Sequence, residues 1–308
     1  MAAAAAAVIV GREGEAEVMA AALAAGRSVL LEGPPGTGKT TLLRALAAGA
    51  GVGLVAVEGN AELTPGRLLG HHDPPRVLAD GYRPDGFVPG PLLRAMSEGA
   101  LLYLEELNRV PEETLNVLLG ALSERRVQVP RFGEVVASPT FRLVAAMNPS
   151  DPVGTGRITP ALYDRTCRLA IGYQGEEEEV EIVSRVSPGP AWLVGAAVRA
   201  ARLSRSHPDL RVGSSVRGAI DLVAVARALQ DLRGGDGRVG LDAALTALSG
   251  RVRVREGVAR SAEEVVAEIW ANVVPGDPGG SAVDPPRKGQ GPGRPPSVAS
   301  RAAAAFHH

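Results

Sequence analysis

The chain has 308 residues, a formal net charge of -1 and a hydrophobic share of 45%, which suits a globular protein with one sizeable core and a smaller companion. Near-neutral charge and a 3% aromatic content disfavour a nucleic-acid tracking surface, which wants basic grooves and stacking rings. A single cysteine, Cys167, excludes an internal disulfide, fits a reducing compartment and is expected as a small core residue.

In chain order, the apolar run up to residue 10 lacks the positive flank of a secretory signal and is too short to span a bilayer, so a cytoplasmic location is expected. Residues 13–25 carry an amphipathic helical pattern, and 28–32 read as a short buried strand running straight into a glycine-rich turn. A helix is expected over 40–48, and further apolar strands over 52–58, 100–104 and 141–147. Such alternation predicts an α/β fold, a parallel sheet covered by helices on both faces with ligands at the carboxyl ends of its strands.

Two segments interrupt that alternation. The run HHDPPRVLADGYRPDGFVPG, between 70 and 91, is too rich in Pro, Gly and Asp for a helix and is predicted as an inserted hairpin or loop. Residues 125–139 are predicted as a second hairpin. After residue 175 the pattern becomes helical, over 176–186, 191–204, 216–232, 241–248 and 261–273, and no strand is expected there. From 275 Pro and Gly dominate, a composition that cannot bury a core. The expected organisation is an α/β domain over 1–173, a small all-helical domain over 174–274 and a disordered tail over 275–308.

The chemistry begins at GPPGTGKT, 33–40, which matches the phosphate-loop pattern and lies between a strand and a helix, as that motif requires. Glycines let backbone N–H groups curl around phosphates, Lys39 reaches the outer phosphates, and the Thr40 hydroxyl is a ligand for Mg²⁺. Only two lysines occur in the chain, Lys39 and Lys288, so positive charge is otherwise spelled as arginine. A planar guanidinium does not replace a compact ammonium inside a tight loop, which makes Lys39 informative. The strand over 100–104 ends in Glu105 and Glu106, where a phosphate-loop enzyme carries a metal-associated acid and a water-activating carboxylate. Glu105 stands where Asp is usual, and the alternative reading is a pair of solvated strand-end carboxylates. Asn148 follows the strand over 141–147; it is either a turn former before Pro149 or an amide that orients water or touches the γ-phosphate.

Taken in order, GPPGTGKT, LLYLEELNR, PEETLNVLLGALSE, AAMNP and ALYDR resemble the MoxR-type AAA+ ATPases over about residues 30–217. The resemblance implies an AAA+ core followed by a helical lid, with ATP and Mg²⁺ as cofactors. It implies nucleotide binding by Gly33, Pro34, Pro35, Gly36, Thr37, Gly38, Lys39, Thr40 and Thr41, and metal binding by Thr40 and Glu105. It further implies catalytic roles for Glu106, for Asn148 as sensor one, and for Arg165 as an arginine finger supplied to a neighbouring subunit, with Arg168 as the substitute. Arg217, in GSSVRGAI, matches sensor two, although it also reads as an ordinary helix-surface arginine. Arg109 is a candidate for the subunit interface, and the run from 70 to 91 looks like the helix-two insert of such proteins.

The implied activity is ATP hydrolysis by a hexameric, chaperone-like motor that acts on a client complex with a von Willebrand factor A domain partner. The alternatives are the motor subunit of a metal-chelatase or metalloenzyme-activation system, a nucleic-acid motor, and a nucleotide-binding scaffold without turnover. His71, His72 and Asp73 are too close together in a Pro-flanked loop to share one metal ion easily. The acidic run 176–179 is expected as a solvated first helical turn favoured by the helix dipole.

Overall fold

The computed structural model describes residues 9–149, 160–233 and 239–275. Of the sequence expectations, the apolar start up to residue 8 and the tail beyond Pro275 lie outside the described residues. The chain divides into two compact units, Met1–Tyr173 and Gln174–His308.

The first unit opens with α1 (Glu13–Ala24), β1 (Ser28–Glu32), α2 (Lys39–Ala50) and β2 (Leu54–Glu58). Then follow α3 (Pro65–Leu69), β3 (Gly70–His72), α4 (Pro74–Asp80), β4 (Phe87–Pro89), α5 (Pro91–Glu98) and β5 (Leu101–Glu105). It closes with α6 (Glu112–Glu124), β6 (Arg126–Val129), β7 (Gly133–Val136), β8 (Arg142–Met147), α7 (Pro160–Asp164) and β9 (Thr166–Ala170). Five strands form one sheet in the order β2-β5-β8-β1-β9, and every pairing in it is parallel.

Alternation along these strands sorts their side chains onto two faces. Val29, Leu31, Leu101, Tyr103, Val144 and Ala146 pack with Met19 of α1 and Leu42, Leu43 and Leu46 of α2. Leu30, Leu102, Leu104, Leu143 and Ala145 pack on the other side with Leu92, Leu93 and Met96 of α5 and Leu115 and Leu118 of α6. Both faces are therefore buried, which leaves the strand ends as the places open to chemistry.

The fifth strand, β9, is an addition to the four expected strands. It lies at the sheet edge and its sequence, TCRLA, has no continuous apolar run to announce it. Its edge position also corrects the expected burial of Cys167, which is exposed.

The run between 70 and 91 is a hairpin, β3 pairing antiparallel with β4, but it encloses the helix α4, contrary to the sequence expectation. Pro74 and Pro75 open that helix, at the positions where a missing N–H and a fixed φ cost nothing. The second hairpin forms from β6 and β7. Phe87 of the first hairpin stacks on Phe132 of the second with ring centroids 4.3 Å apart. Arg131 also lies over the Tyr82 ring, its guanidinium carbon 3.9 Å from the centroid.

The second unit holds α8 (Glu176–Val186), α9 (Ala191–Ser206), β10 (Leu210–Val212), α10 (Val216–Arg233), α11 (Val239–Leu248), β11 (Arg253–Val254) and α12 (Ala262–Val273). It is built on its own core, which includes Leu193, Leu222, Val223, Ile269 and Trp270. The helices fall where the periodicity places them, but β10 and β11 add a short antiparallel ribbon where no strand was expected. The acidic run also departs from expectation, because Glu179 is 1% exposed and pairs with Arg205 at 2.8 Å and Arg202 at 3.2 Å. A buried carboxylate needs such partners, whereas Glu176 and Glu177 stay exposed at the helix start.

Candidate active site

The glycine-rich loop leaves β1 at Glu32 and closes at Gly38, the residue that caps α2. Gly36 and Gly38 have φ of 75° and 84°, a left-handed backbone that favours glycine. The loop thereby delivers the amino end of α2 toward the carboxyl edge of the sheet, a seat for anions. Thr37, 1% exposed, fastens the turn by donating its hydroxyl to the Pro34 carbonyl at 3.0 Å. The Lys39 ammonium folds back over the loop and donates to the carbonyls of Pro34 and Gly33 at 2.7 Å and 2.9 Å.

β5 lies two strands from β1, across β8, and brings its own carboxyl end to the loop. The Thr40 hydroxyl donates to the Glu105 carboxylate and also contacts the Tyr103 hydroxyl at 3.1 Å. In the sequence LLYLEE, Tyr103 looks like one more buried strand residue. Burial, with added effect from Glu105, raises its pKa, so the hydroxyl keeps its proton and stays a donor.

Glu106 follows at a sharp turn, with φ 49° and ψ 44°. A non-glycine residue held in that region costs about 1 kcal/mol or more and persists because its surroundings fix it. The turn separates the two acids: Glu105 faces Thr40, while Glu106 pairs with Arg109 three residues on. Arg109, expected at a subunit interface, thus has a partner within its own chain.

A family model for the AAA domain, dynein-related subfamily, matches residues 28–166. An uncharacterized protein of Staphylococcus aureus (strain USA300) is 33% identical over 208 residues, 67% of this chain and 76% of that one. Another, from Staphylococcus haemolyticus (strain JCSC1435), is 32% identical over the same shares. The chain belongs to the AAA+ ATPase family. The Thermotoga maritima RuvB Holliday junction branch migration motor shares the fold, with a TM-score of 0.50 at 18% identity over 76% of this chain and 68% of that one.

In this AAA+ chain the remaining candidates are spread more widely. Asn148 directly follows β8, half-buried, at the carboxyl edge next to β1. Arg165 precedes β9, whose first residue pairs with Ser28 and whose last pairs with Glu32. It therefore enters the sheet from the edge opposite the phosphate loop, about 13 Å away along the strand. It is exposed, and its guanidinium donates to the Ser123 hydroxyl at 2.6 Å and the Ala161 carbonyl at 2.9 Å.

Arg168, the substitute for Arg165, is engaged within its own chain. Its guanidinium pairs at 2.5 Å with Glu32, the 5% exposed residue just before the loop. Glu32 also accepts from the Tyr163 hydroxyl at 2.9 Å, and burial together with this carboxylate raises the Tyr163 pKa. Arg217 is exposed in the first turn of α10 in the second unit.

His72 packs edge-on against Tyr82 and Phe87. No group of His, Cys, Asp and Glu suited to a metal ion occurs among the described residues. Among them, no helix is long and apolar enough to cross a membrane.

Proposed function

We propose that the chain binds ATP with Mg²⁺ at the loop of residues 33–40 and hydrolyses it as a subunit of a ring-forming, MoxR-type AAA+ motor. The observation that carries this reading is the contact of the Thr40 hydroxyl with Glu105 at the foot of a loop that carries Lys39, with Glu106 directed elsewhere by the turn that follows. Hydroxyl and carboxylate are hard oxygen donors, a set that fits Mg²⁺, whose charge, when bound, offsets that of the phosphates.

In this reading Lys39 exchanges the carbonyls of Gly33 and Pro34 for the outer phosphates. Glu106 orients the attacking water, and Asn148 steadies it from the neighbouring strand. Arg165 acts on the nucleotide of an adjacent subunit, consistent with its place at the sheet edge away from its own loop. The sensor-two role of Arg217 rests on the resemblance to MoxR-type proteins. The hexameric state, a von Willebrand factor A domain partner and a chaperone-like action on a client complex rest on the same resemblance, and a cytoplasmic location is read from the single cysteine.

One observation favours a second reading, a nucleotide-binding scaffold without turnover: Glu106, the residue assigned to water, is paired with Arg109. Phosphate release by the wild type, Glu106→Gln and Lys39→Ala under identical conditions separates the two. The motor reading expects Glu106→Gln to keep ATP affinity while release falls by at least about a hundredfold, within the range for general bases. It expects Lys39→Ala to lose binding. Equal, slow release by the wild type and Glu106→Gln establishes the scaffold instead.

A further inference from the structure

Arg12 lies immediately before α1 and is 4% exposed. Its side chain spans three parts of the first unit. One terminal nitrogen pairs with Glu15 at 2.5 Å. The other, Nη2, donates both to the carbonyl of Thr37 in the phosphate loop, at 3.2 Å, and to the carbonyl of Gly172. The third donor, Nε, is buried and has no hydrogen-bond acceptor among the described residues.

The geometry of a phosphate loop explains why such a residue matters. A turn that aims its N–H groups inward at an anion must point carbonyls outward, and a buried outward carbonyl requires a donor of its own. Lys39 holds the carbonyls of Gly33 and Pro34, and a nucleotide would draw it away from both. The Thr37 carbonyl is held by Arg12 instead, a group whose pairing with Glu15 lies outside the loop. The same nitrogen touches Gly172, next to Tyr173, where the first unit ends and the chain runs on into the second.

We propose that Arg12 is a positioning residue that holds the phosphate loop ready for nucleotide and passes the loop's change of shape on binding to the backbone at Gly172. The inference rests on the nucleotide-binding reading above. Displacing the Thr37 carbonyl shifts the balance of the hydrogen bond that Nη2 shares with Gly172.

The test uses the full chain as wild type, Arg12→Lys and Arg12→Gln, with a slowly hydrolysed ATP analogue and Mg²⁺. Titration gives affinity, and amide hydrogen exchange over residues 171–176 reads the backbone beyond the loop. In the wild type, saturating nucleotide should slow exchange there several-fold. In both variants that response should vanish while affinity falls about tenfold, the loss expected for a charged hydrogen bond.

Arg12→Lys keeps the positive charge but, with a single nitrogen, cannot pair with Glu15 and hold the two carbonyls at once, so it serves if Arg12→Gln fails to fold. If the wild type binds nucleotide and exchange over 171–176 does not change, the inference is overturned without any variant. It is equally overturned if Arg12→Lys binds and responds like the wild type. Failure of the wild type to bind any nucleotide removes the proposed function itself, and the inference with it.

Discussion

Glu105 and Glu106 are neighbours of the same chemical type, yet a single left-handed turn gives them different partners. That turn is braced from behind by Gly59, whose N–H donates to the Glu105 carbonyl at 2.8 Å. A Cβ at Gly59 would lie 2.6 Å from the Glu106 carbonyl oxygen and 2.7 Å from that of Glu105. Backbone cannot yield as a flexible side chain does, so Gly59→Ala should destabilise the first unit by about 1–3 kcal/mol. It should also weaken nucleotide binding by moving Glu105 off Thr40; thermal melting and nucleotide titration, run side by side, check both. Lys39, Thr40 and the two acids are legible in the sequence because their spacing is local and their residue types are rare in that setting. Tyr103, Glu32 and Arg12 are not, since each acts through contacts across the sheet or between distant segments, and in sequence each passes for strand filling or a helix-start charge.

Whether an element is legible depends on its burial. β1, β5 and β8 are near-continuous apolar runs covered on both faces, and that composition marks them in the sequence. β9 at the edge is largely exposed, with only Thr166 and Leu169 partly covered, and β10 and β11 are too short to carry a pattern. α4 was hidden by its own prolines, which favour a helix start but discourage a helical reading of the whole run. In the second unit α12 is tied to the segment after α9 by charge: Arg260 pairs with Glu268 and, at 2.8 Å, with Asp209, while His207 lies 3.6 Å from Glu268. The Arg260 hydrogen bond is the main cause that holds the Glu268 pKa below its ordinary 4.5. A depressed carboxylate stabilises the fold above its unfolded pKa and loses that contribution as pH falls through the folded one. Glu268→Gln should therefore melt lower than the wild type near neutral pH, and the gap should close as pH falls below about 4.5. The gap should be small, because the pair is partly open to water. Paired melting curves across that range check the sign.

At the scale of the whole molecule, a parallel sheet puts Arg165 and Lys39 toward opposite ends of the same strands. If the arginine serves a neighbour's nucleotide, active sites are shared, and two inactive chains can complement each other. Arg165→Ala alone should lose about a thousandfold or more in turnover with nucleotide affinity little changed, as expected of an arginine finger. Mixed with Lys39→Ala, which binds nothing but still offers its arginine, it should regain a measurable fraction of activity. No recovery at any mixing ratio, with both proteins folded, rules out the shared site.

The two hairpins, distant in sequence, are bolted together where Phe87 meets Phe132 and Arg131 caps Tyr82. A force on one of them is therefore shared with the other, and through β6 with the end of α6, which β6 directly follows. A tug at the periphery thus has a route into the helix that follows the acidic turn.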